Sequence, residues 1–493
     1  MPAIALVSHA SPDDVIAYRM GQAVTVRRFL ADVARLAALL PAGGHVLNLC
    51  GDRYRFMVGL CAALVGGKPS LLPPTLNPHT LAALCAGATD TVCLYDDEAL
   101  ATEALAATGL PRLAYPAEMA ACSAGLGEPG EPGEPGEPGE PGEAPAAAVP
   151  AAPLIPLIPA ERIMAYIFTS GSSGLPVPHA KTWGQMVRLT RASAARLGLD
   201  DGRRHVLVGT VPPQHMFGFE CTVMLALQAG LALQAAPVFY PADIRAALAA
   251  APRPRVLVTS PPHLRAVLAS GISLPRADLL LSATAALPAA LAHEAEHGFG
   301  APLLEIYGST ETGQIAVRAS ARDTAWTLLP GIDLDWRAPA AGEEEDGPVA
   351  WASGGHVGQA VPMGDLLERL DARRFLLHGR RADLVNIAGK RSSLAYLNHQ
   401  LTAIEGVQDG CFFLPEPAPG AGAARLVALA VAPGLDSGRL RRALRERIDP
   451  AFMPRSVLLV DSLPRNATGK LPRDQLAPLV ARLLAARRGE RPS

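Results

Sequence analysis

Ile163-Met164-Ala165-Tyr166-Ile167-Phe168 runs directly into Thr169-Ser170-Gly171-Ser172-Ser173-Gly174-Leu175-Pro176. The first six residues read as a buried strand and the rest as a loop at its end. Hydroxyls and glycines this dense offer Oγ donors and backbone N–H groups to phosphate oxygens, and glycine lets the backbone approach closely. No Gly-Lys-Ser/Thr closes the loop, so it is not a Walker A loop. Taken alone, it also reads as a plain turn. A helix-like stretch begins at Thr182.

The same strand–helix texture extends both ways. HVLNLC (45–50) and PSLLPP (69–74) read as strands, RYRFMVGLCAALVGG (53–67) and HTLAALCAG (79–87) as helices. Further on, HVLVGTV (205–211), RVLVTS (255–260), DLLLSA (278–283) and LLEIYG (303–308) are strand-like, with Ala/Leu helices between them. This alternation predicts an α/β fold with a largely parallel sheet covered on both faces. From about 380 the elements become shorter and richer in Arg, which predicts a small C-terminal α+β domain. Gly-Glu-Pro triplets fill 127–143; too few for a collagen helix, they read as an extended acidic surface linker running from about 123 to 159.

The chain has 493 residues, enough for two to four domains. Charged residues make up 18% and the net charge is −2, which excludes a nucleic-acid-type basic surface. No basic region precedes an apolar stretch at the N-terminus, and the longest apolar runs are too short or broken to span a bilayer. Seven cysteines are scattered without a CxxC, so neither a disulfide framework nor a zinc site is indicated. A cytoplasmic protein without a membrane span is expected. Only four of the 44 basic residues are Lys: Lys68, Lys181, Lys390 and Lys470.

Three more segments carry chemistry. Tyr307-Gly308-Ser309-Thr310-Glu311-Thr312-Gly313 ends a strand. A Thr–Glu pair there can meet a phosphate through the hydroxyl and a hydrated Mg²⁺ through the carboxylate; it can equally be a helix N-cap with Thr310 or Thr312. Gly379-Arg380-Arg381-Ala382-Asp383 through Gly389-Lys390-Arg391, and Asn466-Ala467-Thr468-Gly469-Lys470-Leu471, are each uninformative alone.

In order and spacing, TSGSSGLP, PPQHMFG (212–218), YGSTETG, Gly364-Asp365, GRRADLVNIAGKR and PRNATGKLPR resemble the adenylate-forming superfamily of acyl- and aryl-CoA synthetases and peptide-synthetase adenylation domains. The resemblance implies a large N-terminal adenylation domain of sheets covered by helices (1–380) and a small mobile α+β domain (381–493). It implies ATP and Mg²⁺, with Thr169, Ser170, Gly171, Ser172, Ser173 and Gly174 at the pyrophosphate end. Thr310 and Glu311 would serve the α-phosphate and Mg²⁺, with Tyr307, Gly308 and Ser309 also at the nucleotide. Asp365, assisted by Arg380, would hold the ribose hydroxyls, and Lys470 would bridge carboxylate and α-phosphate. His215 and Phe217 would line and gate the acyl pocket, and Ser282, Ala283 and Thr284 would form another wall and meet the adenine.

Departures from the pattern are Val177 where the family usually has Lys, Trp183 where many relatives have His, and Ala382 at the hinge. Lys181 can replace the loop lysine or cap a helix. The segment 390–410 and Lys181-Thr182-Trp183 look like aryl-polyene and xanthomonadin pigment AMP-ligases, which activate a hydroxybenzoate-like or fatty acid and load it on an acyl carrier protein. The expected activity is therefore acyl-adenylate formation followed by transfer to a pantetheine thiol of a carrier protein. An acyl- or aryl-CoA ligase is the alternative, and a non-catalytic binding module of the same fold is a third. Arg439, Arg442 and Arg445 on one helix face, with Leu440 and Leu444 turned inward, would form a docking patch for an acidic carrier protein.

Overall fold

Four of the expected strands, Val206–Gly209, Arg255–Thr259, Leu279–Ser282 and Leu303–Ser309, lie side by side and parallel. The first three are buried at every position, as strands covered on both faces must be. Helices Pro241–Ala250, Pro261–Ala269 and Ala289–Phe299 provide the crossovers. Beyond Leu303–Ser309 the sheet changes character. That strand folds back into Gly313–Arg318, and Trp326–Leu328, Arg374–Arg380 and Asp365–Arg369 continue it antiparallel. The eleven-stranded sheet is thus mixed, and a largely parallel arrangement describes only its middle. The switch needs no crossover helix, because antiparallel neighbours can be joined by short turns.

A second sheet of six strands contains His45–Asn48, Ser70–Leu72, Thr91–Tyr95 and Ile163–Ser170, all parallel to one another. The helix read from Thr182 is present, but the chain does not enter it straight from the Ser/Gly loop. Pro176–Thr182 first returns as an edge strand antiparallel to Ile163–Ser170, and the helix Trp183–Leu197 follows. Thr182 and Gln185 form a capping box at its start, so the cap is Thr182 and not Lys181. Trp183 is a core residue whose indole N–H donates to the Ile4 carbonyl at 3.3 Å.

Between the sheets lies Arg53–Val65, a helix apolar nearly all round and buried accordingly. Arg53 at its start is also buried, its guanidinium donating to the carbonyls of Val211 at 2.8 Å and Ala236 at 3.0 Å. One apolar core runs through both sheets. Residues from Val385 onward build two further clusters of their own around the sheet Asp409–Phe413, Val427–Val431 and Ser456–Leu459. There Ser437–Arg445 buries Leu440 and Leu444 and exposes Arg439, Arg442 and Arg445.

The computed structural model describes residues 2–41, 44–73, 76, 78–86, 88, 90–105, 108–117, 154–170, 176–338, 348–381, 384–387, 390–415, 425–465 and 471–488. Most of the Gly-Glu-Pro linker and the hinge residue Ala382 lie outside them. Among the described residues no helix is long and apolar enough to cross a membrane.

Candidate active site

Ser309 and Thr312 lock the turn between Leu303–Ser309 and Gly313–Arg318: each backbone N–H donates to the other's hydroxyl at 3.2 Å. The alternative of a helix N-cap at Thr310 or Thr312 is thereby corrected; this is a hairpin, closed by Gly313 at φ +73°. Gly308 has no room for a side chain, since a Cβ would sit 2.2 Å from the Gly313 carbonyl oxygen. With its neighbours so constrained, Glu311 is left exposed at the tip and Thr310 half-buried.

The hairpin of the smaller sheet meets this turn. Lys181, 7% exposed, donates from Nζ to the Glu311 carbonyl at 3.0 Å. His179 Nε2 lies 3.6 Å from the Glu311 carboxylate and 3.0 Å from Thr169 Oγ1, so the flank of the Ser/Gly loop and the Glu311 turn share one contact. Burial raises the Glu311 carboxyl, but hydrogen bonds from Ser309 and its own backbone, with the charges of His179 and Lys181, bring it below its ordinary value. Desolvation pulls Lys181 and His179 down, opposed by the nearby carboxylates.

Tyr307, on the same strand, donates its hydroxyl to Asp365 at 2.5 Å and packs against Trp326 and Phe375. Asp365 and Arg380 face each other in register on adjacent strands. Ser282 ends the neighbouring parallel strand, and Ala283 and Thr284 follow it. Thr284 has φ +80°, a strained position for a β-branched residue, and the buried hydroxyls of Ser282 and Thr284 have no hydrogen-bond partner among the described residues. His215 starts the helical run Met216–Gln228, with Phe217 buried behind it. The structure thus gathers Thr169, Tyr307, Gly308, Ser309, Thr310, Glu311, Asp365 and Arg380 along the edge where the parallel strands end. Ser170 ends its strand, whereas Gly171, Ser172, Ser173, Gly174 and Lys470 lie outside the described residues.

Two side chains have no counterpart in the sequence reading. Glu220 sits in a π-helical turn, Phe219–Met224, within the run that begins at Met216, and is 3% exposed. It accepts from the Gln314 backbone N–H at 3.3 Å, and burial pushes its carboxyl up to about 7 against the pull of Gln314 and Lys181. His356 is 4% exposed, and desolvation pushes it down to about 4 against the opposing pull of the Gln314 and Thr312 backbone. A Glu inside an apolar run was the available signal for the first; nothing in the local sequence marks the second.

Glu220 makes stability pH-dependent. Its folded pKa lies above the ordinary 4.5, so its contribution is full below that pH and is lost as pH rises through about 7. Glu220→Gln is expected to flatten this decline by about 3 kcal/mol. Urea denaturation of both proteins from pH 4 to 8 checks it; parallel curves would contradict the assignment.

Residues 6–364 match the AMP-binding enzyme family. The 4-coumarate–CoA ligase of Rhodobacter capsulatus is 30% identical over 316 residues, covering 63% of this chain and 75% of the relative. That of Halorhodospira halophila is 29% identical, covering 62% and 73%. In fold the chain is similar to ATP-bound MatB from Rhodopseudomonas palustris, with a TM-score of 0.76 over 96% of this chain and 97% of that one at 18% identity. The chain belongs to the AMP-binding enzyme family and is an AMP-forming acid–thiol ligase that uses ATP.

Proposed function

We propose that this ligase activates an aryl carboxylic acid and passes the acyl group to CoA. In the first half-reaction a carboxylate oxygen attacks the α-phosphorus of ATP; the new O–P bond forms as the bond to pyrophosphate breaks. In the second, a thiolate attacks the acyl carbonyl carbon and AMP leaves. Bringing one anion to another makes charge screening and in-line positioning the main catalytic needs.

The observation that carries the reading is the meeting of the two hairpins, with Thr169, His179, Lys181 and Glu311 within one chain of contacts. Loop 169–174 would face the pyrophosphate end and Thr310 the α-phosphate. Asp365 would accept from the ribose hydroxyls, held in place by Tyr307 and opposite Arg380. Ser282 and Thr284 bring buried hydroxyls to the adenine side, and His215 and Phe217 would border the acyl group. Among the described residues no cluster of three metal-ligating side chains occurs. A single exposed carboxylate, Glu311, fits Mg²⁺, which keeps waters and takes phosphate oxygens as its other ligands. When bound, Mg²⁺ would screen the phosphate charge. The C-terminal part would turn about Ala382 between the two half-reactions, since each needs different groups at one carbonyl.

For the acceptor, the similarity to two 4-coumarate–CoA ligases supports CoA over the carrier protein expected first. The exposed stripe Arg439, Arg442 and Arg445 is the observation favouring a carrier protein. ATP–pyrophosphate exchange over a panel of aryl and aliphatic acids, then thioester formation with CoA or with holo carrier protein, tests both points. Exchange with aryl acids and a CoA thioester are expected. Exchange with aliphatic acids alone, or transfer to carrier protein alone, would overturn the proposal.

A further inference from the structure

The segment 466–470, which carries Lys470, follows Arg465 and precedes Leu471. Both of its flanks come to one strand, Asp409–Phe413. At the first residue of that strand, the Asp409 carboxylate accepts from Arg465 Nε and Nη2, each at 2.7 Å. At the last, the Arg473 guanidinium lies over the Phe413 ring, 5.2 Å from its centroid. Asp409, Cys411 and Phe413 share a face of the strand. Cys411 and Phe413 pack there with Leu463, Leu471 and Leu476 from the two flanks, while Phe412 belongs to the other apolar cluster.

The Asp409–Arg465 pair differs from an ordinary surface ion pair. It is bidentate, and the two side chains are only 17% and 22% exposed. Asp409 Oδ1 also accepts from the Gly410 backbone N–H at 2.8 Å, so the carboxylate is held by its own strand. A planar fork on a fixed carboxylate sets direction as well as distance. The pair also meets the catalytic edge of the larger sheet. Arg265 lies on Pro261–Ala269, the helix that begins where the parallel strand Arg255–Thr259 ends. Burial lowers the Arg265 guanidinium, and Asp409 opposes this while Arg465 adds to it, so both charges stand near Arg265. Asp409 therefore serves two arginines from opposite sides of Ala382 in the chain.

We infer that Asp409 and Arg465 are positioning residues for acyl-adenylate formation: their ion pair, seated against Arg265, sets where Lys470 is delivered. The inference rests on the reading that Lys470 bridges the carboxylate and the α-phosphate. A point charge must sit at the right distance from both oxygens, and a displacement of about 1 Å can cost on the order of 10²-fold in rate. In the proposed turn about Ala382, Lys470 leaves before the thiol attacks and the pair has nothing left to position. Its effect therefore belongs to one half-reaction.

The test is single-turnover kinetics of the full chain with the acid that the exchange panel selects. Wild type, Asp409→Asn, Arg465→Lys, Lys470→Ala and the double variant Asp409→Asn/Lys470→Ala are compared, with thermal unfolding of each as a fold control. Acyl-adenylate formation at saturating ATP and acid is read separately from thioester formation with supplied acyl-adenylate. Asp409→Asn also leaves Arg265 and Arg465 to repel each other; it should slow the first step about tenfold and keep the second within about twofold of wild type. Arg465→Lys keeps the charge but not the fork and should slow the first step about threefold. In the Lys470→Ala background, Asp409→Asn should add no further slowing, because the group it positions is gone. Equal slowing of both steps, full additional slowing on top of Lys470→Ala, or a wild-type first step in folded Asp409→Asn overturns the positioning role and leaves Lys470 standing. A wild-type first step in Lys470→Ala overturns the reading of Lys470, and this inference with it. Exchange with no acid at all overturns adenylation and both of these. If Asp409→Asn does not fold, the split between the two steps in Arg465→Lys, alone and combined with Lys470→Ala, decides the matter.

Discussion

Lys470→Ala is expected to slow acyl-adenylate formation by about 10²–10³-fold at saturating ATP, the cost of removing one preorganised charge from a developing anion. The expectation is compositional as well as motif-based. In a chain where Lys is so scarce beside Arg, an ammonium between Gly469 and Leu471 is a choice against the background. A compact ammonium can enter between a carboxylate and a phosphate oxygen where a planar guanidinium fits badly, so Lys470→Arg should recover little. The proposed turn about Ala382 takes Lys470 out of the site before the thiol attacks, so thioester formation from supplied acyl-adenylate should be spared. Single-turnover assays of each half-reaction, with an unchanged thermal transition, check the claim. Acyl-adenylate formed at near wild-type rate would end it.

Lys181→Met should act differently, on stability and activity together. The ammonium is buried, bonded to the Glu311 carbonyl and set in the field of the Glu220 and Glu311 carboxylates. Removing one partner of a buried ionic group costs about 3–5 kcal/mol when the other stays charged. Glu220 has an escape, because it can take a proton. The destabilisation should therefore be large above about pH 7, where Glu220 is otherwise ionised, and smaller below it. The Glu311 turn loses its anchor at any pH, so pyrophosphate exchange should fall throughout. Adding Glu220→Gln should restore stability without restoring exchange. Recovery of both would mean that Lys181 only balances charge and does not position the turn.

These two lysines also show how much could be read without coordinates. Lys470 is legible because its motif and its anomalous identity agree. Lys181 is visible only as a substitute for the lysine missing at Val177, and Val177 itself is exposed on the strand. Its inward direction follows from a strand that the sequence argues against: Pro176 and Pro178 remove ladder donors, yet an edge position tolerates them. The parallel strands were legible because complete burial leaves an unbroken apolar run. Glu220 and His356 were not, since their meaning depends on segments brought together from distant parts of the chain around Gly313. The likeness to pigment ligases rested on Lys181-Thr182-Trp183 and on residues 390–410, the latter beyond the span matched to the family, and the similarities found reach the superfamily and its CoA ligases.

The edge strand that carries Val177, His179 and Lys181 sets a rule of parity. Alternate residues share a face, so His179 and Lys181 reach the Glu311 turn only while Ile167 stays opposite His179 and Ala165 opposite Lys181. A slip of one residue would present Pro178, Ala180 and Thr182 to the turn and send both His179 and Lys181 to the opposite side. Insertions between the paired strands are therefore harmless only if the pairing absorbs them outside the ladder. Lengthening that shifts the ladder by one would silence the enzyme with every motif residue still in the chain.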